Sequence, residues 1–497
     1  MSRLGNALYI TEQIRLCEQS SIQEGNLSEY ELMVRAGKEA YKSLKSLYKN
    51  VSSIAVFCGG GNNAGDGYVL ARLAHQEGLS VVLYQAKSIE DLPPAAQQAA
   101  KAAVASGLVC HCFEDVLDTE VELIVDALLG IGLQGDVRDP ILQAINVINE
   151  SGLPVVSLDV PSGLNADTGR IGGVCVYAST TLTFIAPKVG LYTSDGPDHC
   201  GDIICCSLEL EHLLTAIKPQ AQLIHPALNN ILPYRKKNSY KSMFGHVLII
   251  GGGYGMPGAV YLAALAALKI GAGLVTVATL PGHELGLVAL APEVMVYPIA
   301  HVDELMPLLE RATVCVIGPG LGEDVWAKEL FSATLAAQLP LVIDASALRM
   351  LAQNPQYDDN WILTPHPGEA ANLLSSSTAE VQANRCKSAM TIQQKYGGCV
   401  VLKGCGSVIH TLHHDTFICS GGNPGMASAG MGDVLSGIIG GLLAQKVPLA
   451  EAAKLGVWVH AEAGDRAVMM QGMRGLVASD LLLRIVNVIN DVETPSL

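Results

Sequence analysis

Ser420-Gly421-Gly422-Asn423-Pro424-Gly425-Met426-Ala427-Ser428-Ala429-Gly430-Met431-Gly432-Asp433-Val434-Leu435-Ser436-Gly437 is a run of small residues that ends in one carboxylate. An apolar helical pattern begins directly after it (Val434, Leu435, Ile438, Ile439, Leu442, Leu443). The stretch reads as a loop-into-helix step of an α/β fold. Glycines let backbone N–H groups come close to a ligand, and a helix start adds unpaired donors and the positive end of its dipole. Together they make an anion hole suited to phosphate. A carboxylate at its rim would repel that anion. Asp433 is better explained as a base that takes a proton from a hydroxyl while the hole holds the transferring phosphoryl group. An ordinary glycine-rich loop with an Asp in the first helical turn is the plain alternative.

Outward from this loop, the chain divides into two α/β halves. Strands are expected at Ile54 to Cys58, Ser80 to Tyr84, Leu123 to Asp126, Val155 to Leu158, Ala178 to Phe184 and Asp202 to Cys206. A second set is expected at His246 to Ile250, Leu274 to Ala278, Val314 to Ile317, Leu341 to Ile343, Trp361 to Leu363 and Cys399 to Leu402. Helical patterns between them imply parallel sheets covered on both faces, with ligand sites at the carboxyl ends of strands. The expected domains are 1–212 and 241–497. The stretch 213–240, with Pro219, Pro226, Pro233, Asn229-Asn230 and Arg235-Lys236-Lys237, is expected to link them.

Bulk composition narrows the function. In 497 residues, 49% are hydrophobic, 16% are charged and 51 are glycine, which suits buried α/β layers. A formal charge of −16 disfavours nucleic acid and anionic membranes as partners. Thirteen cysteines without disulfide or zinc spacing read as thiols of a reducing cytoplasm. His410, His413 and His414 are expected on a polar connection between strands, with metal chelation the alternative. Ala259 to Leu280 imitates a membrane span, but Gly271-Ala272-Gly273 breaks it into a helix and a strand.

In the first half, Ile54 to Cys58 runs into Gly59-Gly60-Gly61-Asn62-Asn63-Ala64-Gly65-Asp66-Gly67, with a helix expected from Tyr68 to His75. A bare strand, glycine loop and helix is a weakly specific phosphate cradle. Asp66 could instead cap that helix. Two further strands end in Asp126-Ala127-Leu128-Leu129-Gly130-Ile131-Gly132-Leu133 and Asp159-Val160-Pro161-Ser162-Gly163-Leu164. Amide and hydroxyl oxygens with one carboxylate would suit a cation there.

These motifs resemble the NAD(P)H-hydrate epimerase domain. The resemblance implies a Rossmann-like three-layer sandwich over roughly the first 210 residues. It implies that Asn62, Asn63, Ala64, Gly65 and Asp66, with Gly130, Ile131, Gly132, Leu133, Gln134, Gly135 and Asp136, contact the hydrated nucleotide. Asp159 would be the acid/base, and Asn63, Asp126 and Ser162 would hold K+. Ala64 stands where the family usually has glycine. Lys188 suits either a phosphate or a solvated position.

In the second half, Gly251-Gly252-Gly253-Tyr254-Gly255-Met256-Pro257-Gly258-Ala259, Gly318-Pro319-Gly320-Leu321-Gly322, Thr364-Pro365-His366-Pro367-Gly368-Glu369 and Lys403-Gly404-Cys405-Gly406-Ser407 join the Asp433 loop. In order and spacing they resemble the ADP-dependent NAD(P)H-hydrate dehydratase domain, a ribokinase-like α/β sandwich. By that resemblance Lys403, Gly404, Cys405, Gly406, Ser407 and Gly432 bind the adenine nucleotide with Mg2+. Ala259, Gly320, His366 and Asp433 bind the hydrate, although His366 between two prolines would also serve as a rigid loop filler. Asp344-Ala345-Ser346-Ala347-Leu348-Arg349 departs from the usual Asp-Ala-Asp-Ala-Leu-Asn.

The whole chain thus resembles the bifunctional NAD(P)H-hydrate repair enzymes. The implied reactions epimerise the R and S hydrates (NADHX, NADPHX) and dehydrate the S form with ADP. A homo-oligomer is implied as well. Two rivals remain at this point: a kinase for a small hydroxylated metabolite, and a non-catalytic binding scaffold.

Overall fold

A computed structural model of the chain describes residues 6–25, 27–113, 120–224, 232 and 234–493. It divides into two compact units, Met1–Gln222 and Leu223–Leu497. Of the stretch expected to link them, Ala221–Leu223 is a strand paired with Ala7–Leu8. Arg235 lies over the Phe244 ring and donates to the Gly271 carbonyl. Pro226, Asn229, Asn230 and Pro233 lie outside the described residues.

The first unit holds a parallel sheet in the order Cys110–Cys112, Ser80–Gln85, Ser53–Cys58, Leu123–Ala127, Val155–Leu158, Thr180–Phe184, Asp202–Cys206. The chain winds outward from Ser53–Cys58, then returns to that strand's other side as Leu123–Ala127. The reversal opens a crevice at the carboxyl ends of these two strands. Strand boundaries are legible because strands covered on both faces are continuous apolar runs; Ser53–Cys58 is buried at every position.

The helix start after this strand differs from expectation. The helix after this strand spans Asn62–Gln76 and so begins at the asparagine pair, with Gly61 as its extended N-cap. Its glycines serve packing. A Cβ on Gly65 would lie 2.3 Å from the Met33 sulfur, and one on Gly67 would lie 2.6 Å from the Ala127 methyl. Asp66 therefore lies inside the helix and caps nothing.

The second unit's sheet runs Thr416–Cys419, Ser407–His410, Cys399–Leu402, Trp361–Leu363, Leu341–Ile343, Val314–Ile317, His246–Ile250, Leu274–Thr279, Met295–Pro298. It is parallel except for the antiparallel edge that begins at Cys399–Leu402. His410 lies on the strand Ser407–His410, paired on both sides, and is bonded to Thr416, while His413 and His414 lie on the turn that follows. The apolar span from Ala259 divides, as expected, into the helix Pro257–Lys269 and the strand Leu274–Thr279. Among the described residues, no helix is long and apolar enough to cross a membrane.

A second reversal lies between His246–Ile250 and Val314–Ile317. The loops leaving these strands are laced together: Gly252 N–H donates to the Pro319 carbonyl and Gly253 N–H to that of Gly320. The Asp433 helix, Met431–Ala444, packs closely on Pro257–Lys269 at Gly437. A Cβ on Gly437 would lie 2.1 Å from the Ala263 carbonyl oxygen.

Candidate active sites

The crevice of the first unit is a cavity of about 990 Å³. Asn62, Asn63, Asp66, Gly130, Ile131, Gly132, Leu133, Gln134, Asp136 and Asp159 all line it. Ala64, Gly65 and Gly135, expected beside them, do not. Ala64 is fully buried in the core, and Gly65 is pressed between Met33 and Ala96. Gly135, at φ +74°, forms a turn whose carbonyl abuts Gly172.

Two polar clusters meet at the loop Leu128–Gly130. In one, the fully buried Asp126 carboxylate accepts from Ser157 Oγ (2.8 Å), Ser162 N–H (2.9 Å), Ser162 Oγ (2.5 Å) and Leu128 N–H (3.2 Å). Burial raises its pKa, and these hydrogen bonds oppose the rise. In the other, an added Cβ on Gly130 would lie 3.3 Å from both Asn63 Cβ and Asp159 Oδ2. Asn63 is 8% exposed, and neither its amide oxygen nor its amide nitrogen has a partner. Such a group is costly unless something binds it.

Lys188 overturns both readings made of it. Its ammonium is fully buried and donates to Asp159 Oδ1 (2.5 Å), the Phe184 carbonyl (2.7 Å) and Thr183 Oγ1 (2.9 Å). All three protons are committed, so it is neither solvated nor open to a phosphate. Asp159 itself has φ +69°, a left-handed conformation that turns the chain at the cavity wall.

In the second unit, Asp433 occupies the first turn of Met431–Ala444. Burial, reinforced by the charge of Asp344 and opposed by Lys403, raises its carboxyl to about 7. Asp344 follows the strand Leu341–Ile343 and is 2% exposed. Its two oxygens lie 2.8 Å from Lys403 Nζ and 2.5 Å from Ser436 Oγ. Burial alone would raise Asp344, but the Lys403 charge and the hydrogen bonds outweigh it and leave the carboxyl below its usual range. Lys403 leads the turn to Ser407 and lies 3.9 Å from Glu369. A Cβ on Gly432 would lie 3.3 Å from the Lys403 ammonium. Lys403, Gly432 and Asp433 are thus brought together, as are Ala259 and Gly320, whose added Cβ would lie 3.0 Å from Ala259 Cβ.

His366 is a helix cap. Its Nδ1 accepts from the Gly368 and Glu369 amides while Glu369 accepts the His366 N–H, and its side chain is 53% exposed. The unusual Arg349 turns outward to Glu323 (2.7 Å), and Ser346 Oγ reaches only the Gly318 carbonyl at 3.5 Å. Ser407 Oγ bonds Gly404 across the turn, and Cys405 is exposed. Sequence reading quoted Asp344, a strand-end Asp of the same kind as Asp126 and Asp159, within a motif but gave it no role, and did the same with Glu369 and Ser436.

Comparison with known proteins agrees with this division. The family described as "YjeF-related protein N-terminus" matches residues 29–190, and the family described as "NAD(P)H-hydrate dehydratase" matches residues 247–487. The bifunctional NAD(P)H-hydrate repair enzyme of Coxiella burnetii is 49% identical over 95% of this chain and 97% of its own. That of Escherichia coli is 41% identical over 98% and 94%. Among solved structures, a ribokinase-like superfamily protein of Enterococcus faecalis (31% identity, TM-score 0.51) covers 56% of this chain and 98% of its own. The ADP/ATP-dependent NAD(P)H-hydrate dehydratase of Bacillus subtilis, co-crystallised with ATP/Mg2+ (26%, TM-score 0.50), covers 55% and 98%. With relatives matched end to end and both halves accounted for, the chain belongs to the family of bifunctional NAD(P)H-hydrate repair enzymes.

Proposed function

We propose that the chain repairs hydrated NADH and NADPH. The first unit interconverts the two epimers of the hydrate, and the second dehydrates the S form with a nucleoside diphosphate, ADP, as phosphoryl donor. The observation that carries the second half is Asp433, a carboxyl raised to about 7 at a helix start, beside Lys403 and Gly432. A base is most effective with a pKa near the working pH.

The hydrate carries a hydroxyl on the carbon next to the ring nitrogen, and hydroxide leaves poorly. Asp433 takes the hydroxyl proton as the oxygen attacks the terminal phosphorus of the nucleotide, and the shortened nucleotide leaves. The amides of the first helical turn and Lys403 stabilise charge on the transferring group. The ring nitrogen lone pair then expels phosphate, and loss of a proton from the neighbouring carbon restores the reduced ring. Magnesium carried on the nucleotide phosphates would spread their charge. Asp344 holds Lys403 in place through its 2.8 Å ion pair.

In the first unit, Asp159 is the proposed acid/base and the cavity-lining loops hold the nucleotide. Of the proposed K+ donors, Asn63 offers a buried amide oxygen without a partner, while Asp126 and Ser162 hydrogen-bond each other and would exchange those bonds for the ion. The ion would fix the Leu128–Gly130 loop that forms the cavity wall.

The deciding experiment follows the near-ultraviolet band of the reduced ring in an epimer mixture of NADPH hydrate, with Mg2+ and K+, with and without ADP. Recovery past one epimer's share, only with ADP, supports both activities. A stable phosphorylated product without that band would favour the kinase of a small metabolite instead.

A further inference from the structure

One wall of the first unit's cavity comes from the N-terminal helix Thr11–Gly25, outside every motif quoted above. Ile14, Arg15, Glu18, Gln19 and Ile22 line the cavity. Their spacing is that of a single helix face. Glu18 is the one carboxyl among them, and it shares the cavity with Asp66, Asp159 and the unpartnered, nine-tenths buried amide of Asn63. Four charged groups act on it: Asp159 and Glu29 against its ionisation, Lys188 and Arg15 in favour.

Resting on the reading of this unit as the epimerising half, we propose that Glu18 is its second proton-transfer residue, working in concert with Asp159. Inverting the hydroxyl-bearing carbon through the open ring needs two proton transfers in each direction. Asp159, paired with Lys188, takes the proton of the ring hydroxyl. The oxygen's electron pair forms the carbonyl bond, the carbon–nitrogen bond breaks with its pair going to nitrogen, and Glu18 protonates that nitrogen. After rotation about the adjacent carbon–carbon bond, nitrogen attacks the opposite face. Glu18 takes its proton back, and Asp159 returns the first proton to oxygen. Atoms and electrons balance with no co-reactant. Glu18 suits both directions of transfer: burial first, then the charge of Asp159, sets its carboxyl at about 7. Asp66 is pushed well above the ordinary range by burial, Asp159 and Glu18, so it gives up a proton less readily.

The test uses the full chain, the purified R epimer of NADPH hydrate, K+ and no nucleotide, with the two epimers separated by chromatography. Wild type must exceed the spontaneous rate; if it does not, the epimerising reading itself falls. Given that activity, Glu18→Gln is expected to lower the catalysed rate by about 10²-fold or more. Its far-ultraviolet circular dichroism should be unchanged. In wild type kcat falls as pH rises through the neutral range. That limb disappears in Glu18→Gln and is kept by Glu18→Asp at part of the rate. A Glu18→Gln rate within threefold of wild type, or a loss equal at every pH that Glu18→Asp does not relieve, would overturn the proposal.

Discussion

Asp433 owes its neutral-range carboxyl to three neighbouring facts: its own burial, the negative charge of Asp344 and the positive charge of Lys403. Each can be removed separately. Only the ionised form is a base, so wild-type kcat for dehydration should rise with pH through about 7. Asp344→Asn removes the neighbour that raises Asp433 and frees Lys403 to act on it, so the rise should move to lower pH. Lys403→Met does the reverse. It also leaves Asp344 buried without its cation, at a cost of about 3–5 kcal/mol in a thermal or denaturant melt. Unmoved pH profiles in both variants would remove Asp433 from its assigned role. A stability test follows from the same raised pKa. Between the ordinary carboxyl range and about 7, the unfolded chain ionises where the folded one resists, so stability is present at low pH and lost as pH rises. Asp433→Asn should therefore raise Tm above pH 7 and leave it unchanged below pH 4, while dehydration falls by about 10²-fold or more. At this scale Asp433 was legible because its apolar and small neighbours have no other use for a carboxylate. Lys188 was not. A buried lysine differs from a solvated one only by the company the fold supplies, here Asp159, Thr183 and Phe184, of which Asp159 is far away in sequence.

The loop before the Asp433 helix has little packing of its own and is held from outside. Asp465, on the helix Leu449–Gln471, accepts from Gly422 N–H (2.9 Å) and Asn423 Nδ2 (2.8 Å), while Asn423 Oδ1 accepts from Gly425 N–H. Asp465→Ala removes both tethers, each worth about 1–3 kcal/mol when a partner is left behind. Amide exchange over residues 421–426 should quicken and KM for ADP should rise several-fold. Epimerisation, which belongs to the other unit, should not change. Unaltered exchange would show that the loop is held by other means. Strands were legible at this scale because parallel strands are buried on both faces; Val155–Leu158 and His246–Ile250 have the bounds read from sequence. The start of Asn62–Gln76 was not. Its glycines imitate a phosphate loop, whereas Gly65 and Gly67 are there to let Met33 and Ala127 approach. The cavity wall from Thr11–Gly25 was also hidden, since nothing local in an amphipathic helix says which crevice its face will close.

Across the whole molecule, the two candidate sites share no residue. Glu18, Asn63, Asp66, Asp159 and Lys188 lie in the unit Met1–Gln222, and Asp344, Lys403 and Asp433 lie in Leu223–Leu497. Each has its own sheet reversal and its own lysine paired with a strand-end carboxylate, so neither needs the other's side chains for its chemistry. The reactions are joined by stereochemistry instead: one site supplies the epimer the other consumes. That independence makes a prediction for a mixture of two disabled chains. Given both epimers, Asp433→Asn should recover the reduced-ring band about 10²-fold or more slowly than wild type. Asp159→Asn should recover one epimer's share quickly and the remainder only at the spontaneous rate. The two variants mixed in equal amounts should recover the full band, with the second phase about half as fast as in the same total wild-type protein, because half the epimerising sites are intact. A mixture that stops at one share would mean that the hydrate must pass within a single chain, and the sites could then no longer be treated as separate machines on one polypeptide.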